Sequence, residues 1–371
     1  MKLQRREASV QLDADYMEIG VRSFGRGIFH KEPVSGLSLG SKRVFLIEPG
    51  DLVLSNVFAW EGAIAVASEA EKGRIGSHRF MTFTPTNGRI DTSWARWWFL
   101  SEPGLELIRK ASPGSAGRNR TLAIDRFEAL EMPLPPIGEQ CRLVERMDRI
   151  VADVVATDAR MGQADRLRDA LRESLVVRAC QGAPERNFGD LFALQRRPVD
   201  MQLDGTYVEV GLRSFGRGVF HKEPTLGAVL GSKRVFRLMP GDLLISNVFA
   251  WEGAVALVGE AEAGMIGSHR FMTWVPSNPA VTAEWAAHFL TSKSGIERLA
   301  QASPGSAGRN RTLAVERLNQ LRIPIPPIEV QDQVTMSQDC LQSCDSARAA
   351  VAEGLQAVIP AVLNEAFCGV R

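Results

Sequence analysis

Ala111-Ser-Pro-Gly-Ser-Ala-Gly-Arg-Asn-Arg-Thr-Leu-Ala123 stands in the chain twice, the second time as Ala302–Ala314. Working outward, Phe58-Ala-Trp-Glu-Gly-Ala63 returns as Phe249–Ala254, and Arg22-Ser-Phe-Gly-Arg-Gly27 as Arg213–Gly218. Tyr16 and Tyr207 are 191 positions apart, and so are Gln140 and Gln331. The first copy begins at Leu3-Gln4-Arg5-Arg6 and closes near Pro135-Pro136-Ile137; the second runs from Leu194-Gln195-Arg196-Arg197 to Pro326-Pro327-Ile328, with no insertion between those limits. A repeat this long is a whole domain and not a solenoid unit. The chain therefore carries two nearly equal heads.

Each head reads as mixed α and β. Short alternating strands are expected at Tyr16–Gly20 and Tyr207–Gly211, at Leu52–Phe58 after a Pro-Gly-Asp turn, and around His78–Phe83. One helix is expected over Thr92–Lys110, with Trp94, Trp97 and Trp98 on its core face. Of these only Trp94 returns as tryptophan, Trp285; His288 and Phe289 replace the others. A proline hinge ends each head, Met132-Pro-Leu-Pro-Pro-Ile137 and Ile323-Pro-Ile-Pro-Pro-Ile328. Helix follows. Leu143, Met147, Ile150 and Val154 form an apolar seam; Gly162 interrupts it, and Leu167, Leu171 and Leu175 resume it. Leu341, Cys344, Val351, Leu355, Val358 and Val362 make the matching seam, with a kink expected at Pro360. The span from Gln140 to Cys180 would be about 60 Å long. Such a stripe needs a partner, either the other helix or another subunit. The duplication favours the first, an antiparallel coiled coil. The expected class is α+β: head 1–137, helix 138–183, head 184–328, helix 329–371.

The 371 residues carry a net charge of +1 and are 45% hydrophobic, so cores are affordable and no global field draws the chain to nucleic acid. No apolar run spans a membrane and no signal core opens the chain, which points to a cytoplasmic location. The five cysteines, Cys141, Cys180, Cys340, Cys344 and Cys368, lie outside the heads. Cys340 and Cys344 stand one helical turn apart without a nearby histidine or second cysteine pair, so reduced thiols are expected, not zinc.

Local basic residues carry the binding candidates: Arg22, Arg26, Lys42, Arg43, Arg79, Arg118, Asn119 and Arg120, with Arg213, Arg217, Lys233, Arg234, Arg270, Arg309, Asn310 and Arg311 in the second copy. Several sit in glycine-containing turns, where backbone approaches a phosphate closely. Arginine presents a planar fork to phosphates and guanine edges. The alternative for the arginine loop is a solvated surface segment paired with Glu61 or Asp51. His78, His30, Glu61 and Asp51 could instead form a metal or nuclease site, yet no metal-ligand spacing, phosphate loop or nucleophile elbow accompanies them. His78 reads as a core histidine beside Phe80, and Trp60 as a core anchor.

Pro133-Leu-Pro-Pro-Ile-Gly-Glu-Gln140 with Cys-Arg-Leu-Val-Glu-Arg-Met-Asp148, and Ile325-Pro-Pro-Ile-Glu-Val-Gln331, resemble the junctions between target recognition domain and conserved helix in specificity subunits of type I restriction–modification enzymes. The likeness covers nearly the whole chain and its order of parts. It implies two target recognition domains reading the halves of a bipartite double-stranded DNA site, with the helices as a ruler. It also implies partners: two modification subunits that methylate adenine with S-adenosylmethionine, and restriction subunits that use ATP and Mg. This chain would then hold no cofactor, metal or catalytic residue. Two features depart from the pattern. Family members usually carry dissimilar heads, and Phe188-Gly-Asp-Leu-Phe192 has no counterpart before Leu3. Other classes consistent with two heads are a protein-binding scaffold and a standalone nuclease using His78 and Glu61.

Overall fold

A computed structural model of the chain describes residues 1–114, 120–231, 233–305 and 311–367. Arg118, Asn119, Arg309 and Asn310 lie outside the described residues. The chain forms two compact units, Met1–Arg160 with Ala349–Arg371, and Met161–Arg348.

In the first unit a four-stranded antiparallel sheet runs in the order Lys2–Gln4, Phe80–Thr84, Leu52–Ser55, Ile64–Val66. Alternation along Leu52-Val53-Leu54 explains why it is buried on both faces. Leu52 and Leu54 join Trp94, Trp98 and Phe99 on the helical side, while Val53 joins Ile19, Ile47 and Ala65 on the other. The second unit repeats this with Phe192–Gln195, Phe271–Pro276, Leu243–Ser246 and Val255–Leu257. There Leu243 and Ile245 face the helical side and Leu244 the other.

The helix expected over Thr92–Lys110 is two helices, Thr92–Leu100 and Glu102–Ala111. Ser101 ends one and starts the next. Its N–H reaches the carbonyls of Trp97 and Trp98, and its Oγ accepts from the Gly104 N–H at 3.4 Å. Pro103 suits the first turn of the second helix. Gly104 packs so tightly that a β-carbon there would lie 2.0 Å from the Trp98 carbonyl oxygen. Ser292 and Gly295 repeat the break. Trp94, Trp97 and Trp98 are buried, as their spacing predicts.

Two long helices follow the heads, Ile137–Cys180 and Ile328–Phe367; the first runs through Gly162 and the second through Pro360. Within the first unit Met147 shares a core with Leu363 and Phe367, Val151 and Ile359 pack against it, and Arg146 pairs with Glu365 at 3.6 Å. Within the second unit Arg168 and Arg172 bind the Asp345 carboxylate at 2.6 and 2.7 Å, and Arg348 pairs with Asp165. Within the second unit the partner numbers descend, from Arg348 at Asp165 to Asp345 at Arg168 and Gln338 at Arg172, so the paired segments there run antiparallel. The expected apolar seam is not continuous. Leu167, Leu171 and Val351 are exposed, and so is Cys344. Beside Leu167 and Leu171, Asp165, Arg168, Arg172 and Asp345 hold the second unit's segments by charge, while the buried helix residues Met147, Val176, Val334 and Leu363 join the cores of the heads.

The two heads differ at one edge. In the second, Glu185–Asn187 pairs with Arg322–Pro324. Phe188 then stacks on Phe192 with ring centroids 4.6 Å apart and meets Trp274 edge-on at 5.1 Å. In the first, the corresponding place is a groove lined by Met1, Phe83, Phe99, Phe127, Leu130 and Met132. Among the described residues, no helix is long and apolar enough to cross a membrane.

Candidate nucleic-acid interface

The repeated Ser-Phe-Gly-Arg-Gly turn docks on the repeated Phe-Ala-Trp-Glu-Gly turn. The Phe24 N–H donates to the Glu61 carbonyl at 2.8 Å, and the Gly25 N–H to the Gly62 carbonyl at 2.9 Å. Ser23 Oγ donates to Glu61 Oε2 at 2.9 Å. Arg96 reaches across from its helix to the Gly25 carbonyl at 3.1 Å while lying over Trp97. Burial pushes the Arg96 guanidinium below its ordinary value, with Asp148 opposing the shift. The second head repeats the docking. Phe215 and Gly216 donate to Glu252 and Gly253 at 2.7 and 2.9 Å, and Ser214 to Glu252 at 2.6 Å.

The docking fixes an unusual backbone. Phe24 and Phe215, at φ 61° and 60°, are the non-glycine residues with positive φ among the described residues. A bulky side chain in that region costs on the order of 1–3 kcal/mol. The hydrogen bonds to the neighbouring turn hold it there, and Gly25 allows the approach, since a β-carbon at that position would lie 2.8 Å from Leu100.

Around this turn the structure gathers part of the expected basic set. Arg26 lies over the Phe24 ring at 5.8 Å and Arg120 over the Trp60 ring at 5.4 Å. Arg217 and Arg311 do the same over Phe215 and Trp251, at 5.9 and 5.2 Å. Arg22 and Arg213 cover Phe29 and Phe220 on the adjoining hairpin. Trp60 is half-buried, not a full core anchor, and its Nε1 donates to the Val57 carbonyl at 2.9 Å. The loop leaving Arg120 is tied down at Leu122, whose N–H donates to Asn56, and Asn56 donates to the Arg79 carbonyl. Leu313, Asn247 and Arg270 repeat that relay.

A second cation group extends from there. Arg79 adjoins His78, whose carbonyl accepts from Arg5, and Arg5 and Arg43 both cover Phe45, at 4.9 and 5.7 Å. Burial, then repulsion from Arg43, lowers the Arg5 guanidinium from its ordinary value. Arg43 also holds Glu7 at 3.0 Å, which keeps that exposed carboxyl below its usual range. In the second head Arg196 covers Phe236, and the Arg234 carbonyl accepts from His269. Lys42 and Lys233 are exposed beside these arginines.

Several expectations change. His78 and His269 are exposed, so they are not core histidines. Glu61 is engaged by Ser23. Asp51 is 1% exposed and belongs to Arg6, through two hydrogen bonds of 2.6 and 3.1 Å; Asp242 holds Arg197 in the same way. Arg6 and Arg197 thus serve the fold. His30 bonds Glu71 at 2.6 Å and His221 bonds Glu262 at 2.6 Å, with each carboxylate inside a short helical turn. Among the described residues no group of three or more His, Cys, Asp or Glu is placed to hold a metal ion. Sequence reasoning missed Phe24 and Phe215. The signal available was a large aromatic set before a glycine in a repeated turn.

No family model matches the chain, and no curated protein matches it in sequence. Solved structures do. The HsdS subunit from Thermoanaerobacter tengcongensis superposes with a TM-score of 0.62 at 17% identity, over 100% of this chain and 95% of that one. A chain from a structure described as the basis of complex assembly and conformational transition of the type I R-M system superposes with a TM-score of 0.63 at 17% identity, over 100% of this chain and 96% of its own. The likeness is one of fold. In both cases the superposition covers the full length of this chain.

Proposed function

We propose that the chain is a non-catalytic, sequence-specific DNA-binding subunit of a type I restriction–modification complex. The observation that carries this reading is the repeated arginine–aromatic surface: Arg22, Arg26 and Arg120 over Phe29, Phe24 and Trp60 in one head, and Arg213, Arg217 and Arg311 over Phe220, Phe215 and Trp251 in the other; Arg79 and Arg270 join the proposed contact set. Guanidinium groups held over aromatic rings are positioned in advance for phosphates and base edges. The full-length fold likeness supports the same assignment. Lys42, Arg43, Lys233 and Arg234 extend the surface. Arg118, Asn119, Arg309 and Asn310, in the same loops as Arg120 and Arg311, complete the proposed contact set.

Each head, 1–137 and 184–328, takes one half of a bipartite site. The helices, 138–183 and 329–371, form an antiparallel coiled coil that sets the spacing. The first helix has 44 residues, about 66 Å along its axis. Equal heads turned about an internal two-fold read equal half-sites in opposite directions, so the target is an interrupted near-palindrome. The partners are two modification subunits and the restriction subunits, and S-adenosylmethionine, ATP and Mg belong to them. Exposed apolar side chains fit such partners: Val155 and Val351 in the first unit, Leu167 and Leu171 in the second. A binding-site selection with the full-length chain, followed by titration across salt, tests the reading. An enriched bipartite duplex whose affinity falls steeply with salt supports it; enrichment of no duplex refutes it.

A further inference from the structure

Phe24 and Phe215 stand out because their backbone, exposure and surroundings agree in both copies. Each is the large residue in a positive-φ turn, and each ring is open to solvent, 72% and 62% exposed. Folding gains little from a ring in water and loses by forcing phenylalanine into a conformation that suits glycine or asparagine. The turn is nevertheless braced in both heads, by the Glu61 and Gly62 carbonyls in the first and the Glu252 and Gly253 carbonyls in the second, and Arg96 adds a third hold in the first head, where the second has Ala287. An arginine flanks each ring at just under 6 Å, Arg26 for Phe24 and Arg217 for Phe215. A rigidly presented apolar tip with a cation beside it matches the chemistry of a wedge. The ring enters a base step and unstacks it in part, while the guanidinium meets the adjacent phosphate.

We infer that Phe24 and Phe215 are base-step wedges, one per head, that kink double-stranded DNA at each half-site. The inference rests on the DNA-binding reading above and adds to it a deformation of the target, with specificity for flexible pyrimidine–purine steps that no polar side chain need touch. Arg26 and Arg217 position the wedge and neutralise the phosphate on its flank.

The test uses the full-length chain and a duplex enriched from a random-sequence pool by the wild type, with 2-aminopurine placed at successive positions and bending measured by circular permutation. The wild type is expected to raise 2-aminopurine fluorescence at one step per half-site and to bend the duplex. Phe24→Asn with Phe215→Asn removes the rings and suits the positive φ. That double variant is expected to melt at the wild-type temperature or higher, bind at least tenfold more weakly, and lose both the bend and the fluorescence change. Phe24→Leu with Phe215→Leu, which keeps an apolar tip, is expected to retain most of the bend. A wild type that binds with a steep salt dependence while the Asn variant bends and binds equally well overturns the wedge and leaves the DNA reading standing. A wild type that selects no duplex overturns both.

Discussion

Gln140 and Asp91 are joined across the chain by a 2.8 Å hydrogen bond, from the Asp91 backbone N–H to Gln140 Oε1. Gln140 is fully buried, and its Nε2 donates to the carbonyls of Arg89 and Pro135, each at 2.8 Å. One amide thus ties the start of the long helix, the proline hinge and the cap of Thr92–Leu100 together. Gln331 does the same with Thr282, Ala280 and Pro326, at 2.9, 2.8 and 2.8 Å. This explains why glutamine follows the Pro-Pro pair at both junctions. Only a side chain with an acceptor and two donors at that reach satisfies all three backbone groups.

Removing the amide leaves those groups buried without partners. Gln140→Ala is expected to destabilise its unit by about 3 kcal/mol. Urea unfolding checks this, and a midpoint within error of wild type would show that the junction is held by something else.

Arginines of equal charge should behave in two different ways. Arg120→Ala and Arg311→Ala, alone or with Arg118→Ala and Arg309→Ala, are expected to weaken DNA binding and to flatten the salt slope by about one unit per lost phosphate contact. Arg6→Ala strands the buried Asp51 carboxylate, so it should cost about 3–5 kcal/mol of stability. Affinity titrations at several salt concentrations, run beside melting curves, separate the two classes. Arg6→Ala that melts like wild type, or Arg120→Ala variants that keep the full slope, would contradict the division.

Much of this was legible in the sequence, and the misses have physical causes. The constant 191-residue offset and the tryptophan spacing gave two heads and their helical cores directly. The split at Ser101 was hidden because serine is an acceptable helix residue whose capping role appears only once Gly104 is against the Trp98 carbonyl. The apolar seam was overextended because Leu167, Leu171 and Val351 fit the period, while the segments beside Leu167 and Leu171 are held by Asp345 and its arginines. In the site, residue type singled out the arginines but not their roles. Arg6 and Arg26 look alike until Asp51 is seen under one and Phe24 under the other.

Acid should loosen the first head through Glu71. Burial opposes its ionisation, but hydrogen bonds from Ser68 and from His30 outweigh that and hold the carboxyl below its usual value. A depressed carboxylate contributes stability that is present above its unfolded pKa and lost as pH falls through the folded one. Melting temperature is therefore expected to drop on acidification below about pH 4, and Glu71→Gln should lose part of that dependence. An unchanged pH profile in Glu71→Gln would remove this pair from the acid response.

Phe188 gives the second head packing that the groove beside Phe83 and Phe127 does not have in the first. Phe188→Ala is expected to cost about 3–5 kcal/mol, because the ring is fully buried between Phe192 and Trp274. Hydrogen exchange resolved by unit should show the loss confined to Met161–Arg348. Uniform loosening of both units would contradict the assignment of that ring to one core.

The most direct test of the account is adenine methylation mapped across the host genome with and without this chain. The account predicts one set of modified sites that vanishes with the chain, each an interrupted near-palindrome whose half-sites match and face in opposite directions. Differences between the heads, such as Leu46 against Arg237 and Arg74 against Met265, allow at most a base or so to differ between halves. Two unrelated half-sites, a direct repeat, or a methylation pattern indifferent to the chain would contradict it.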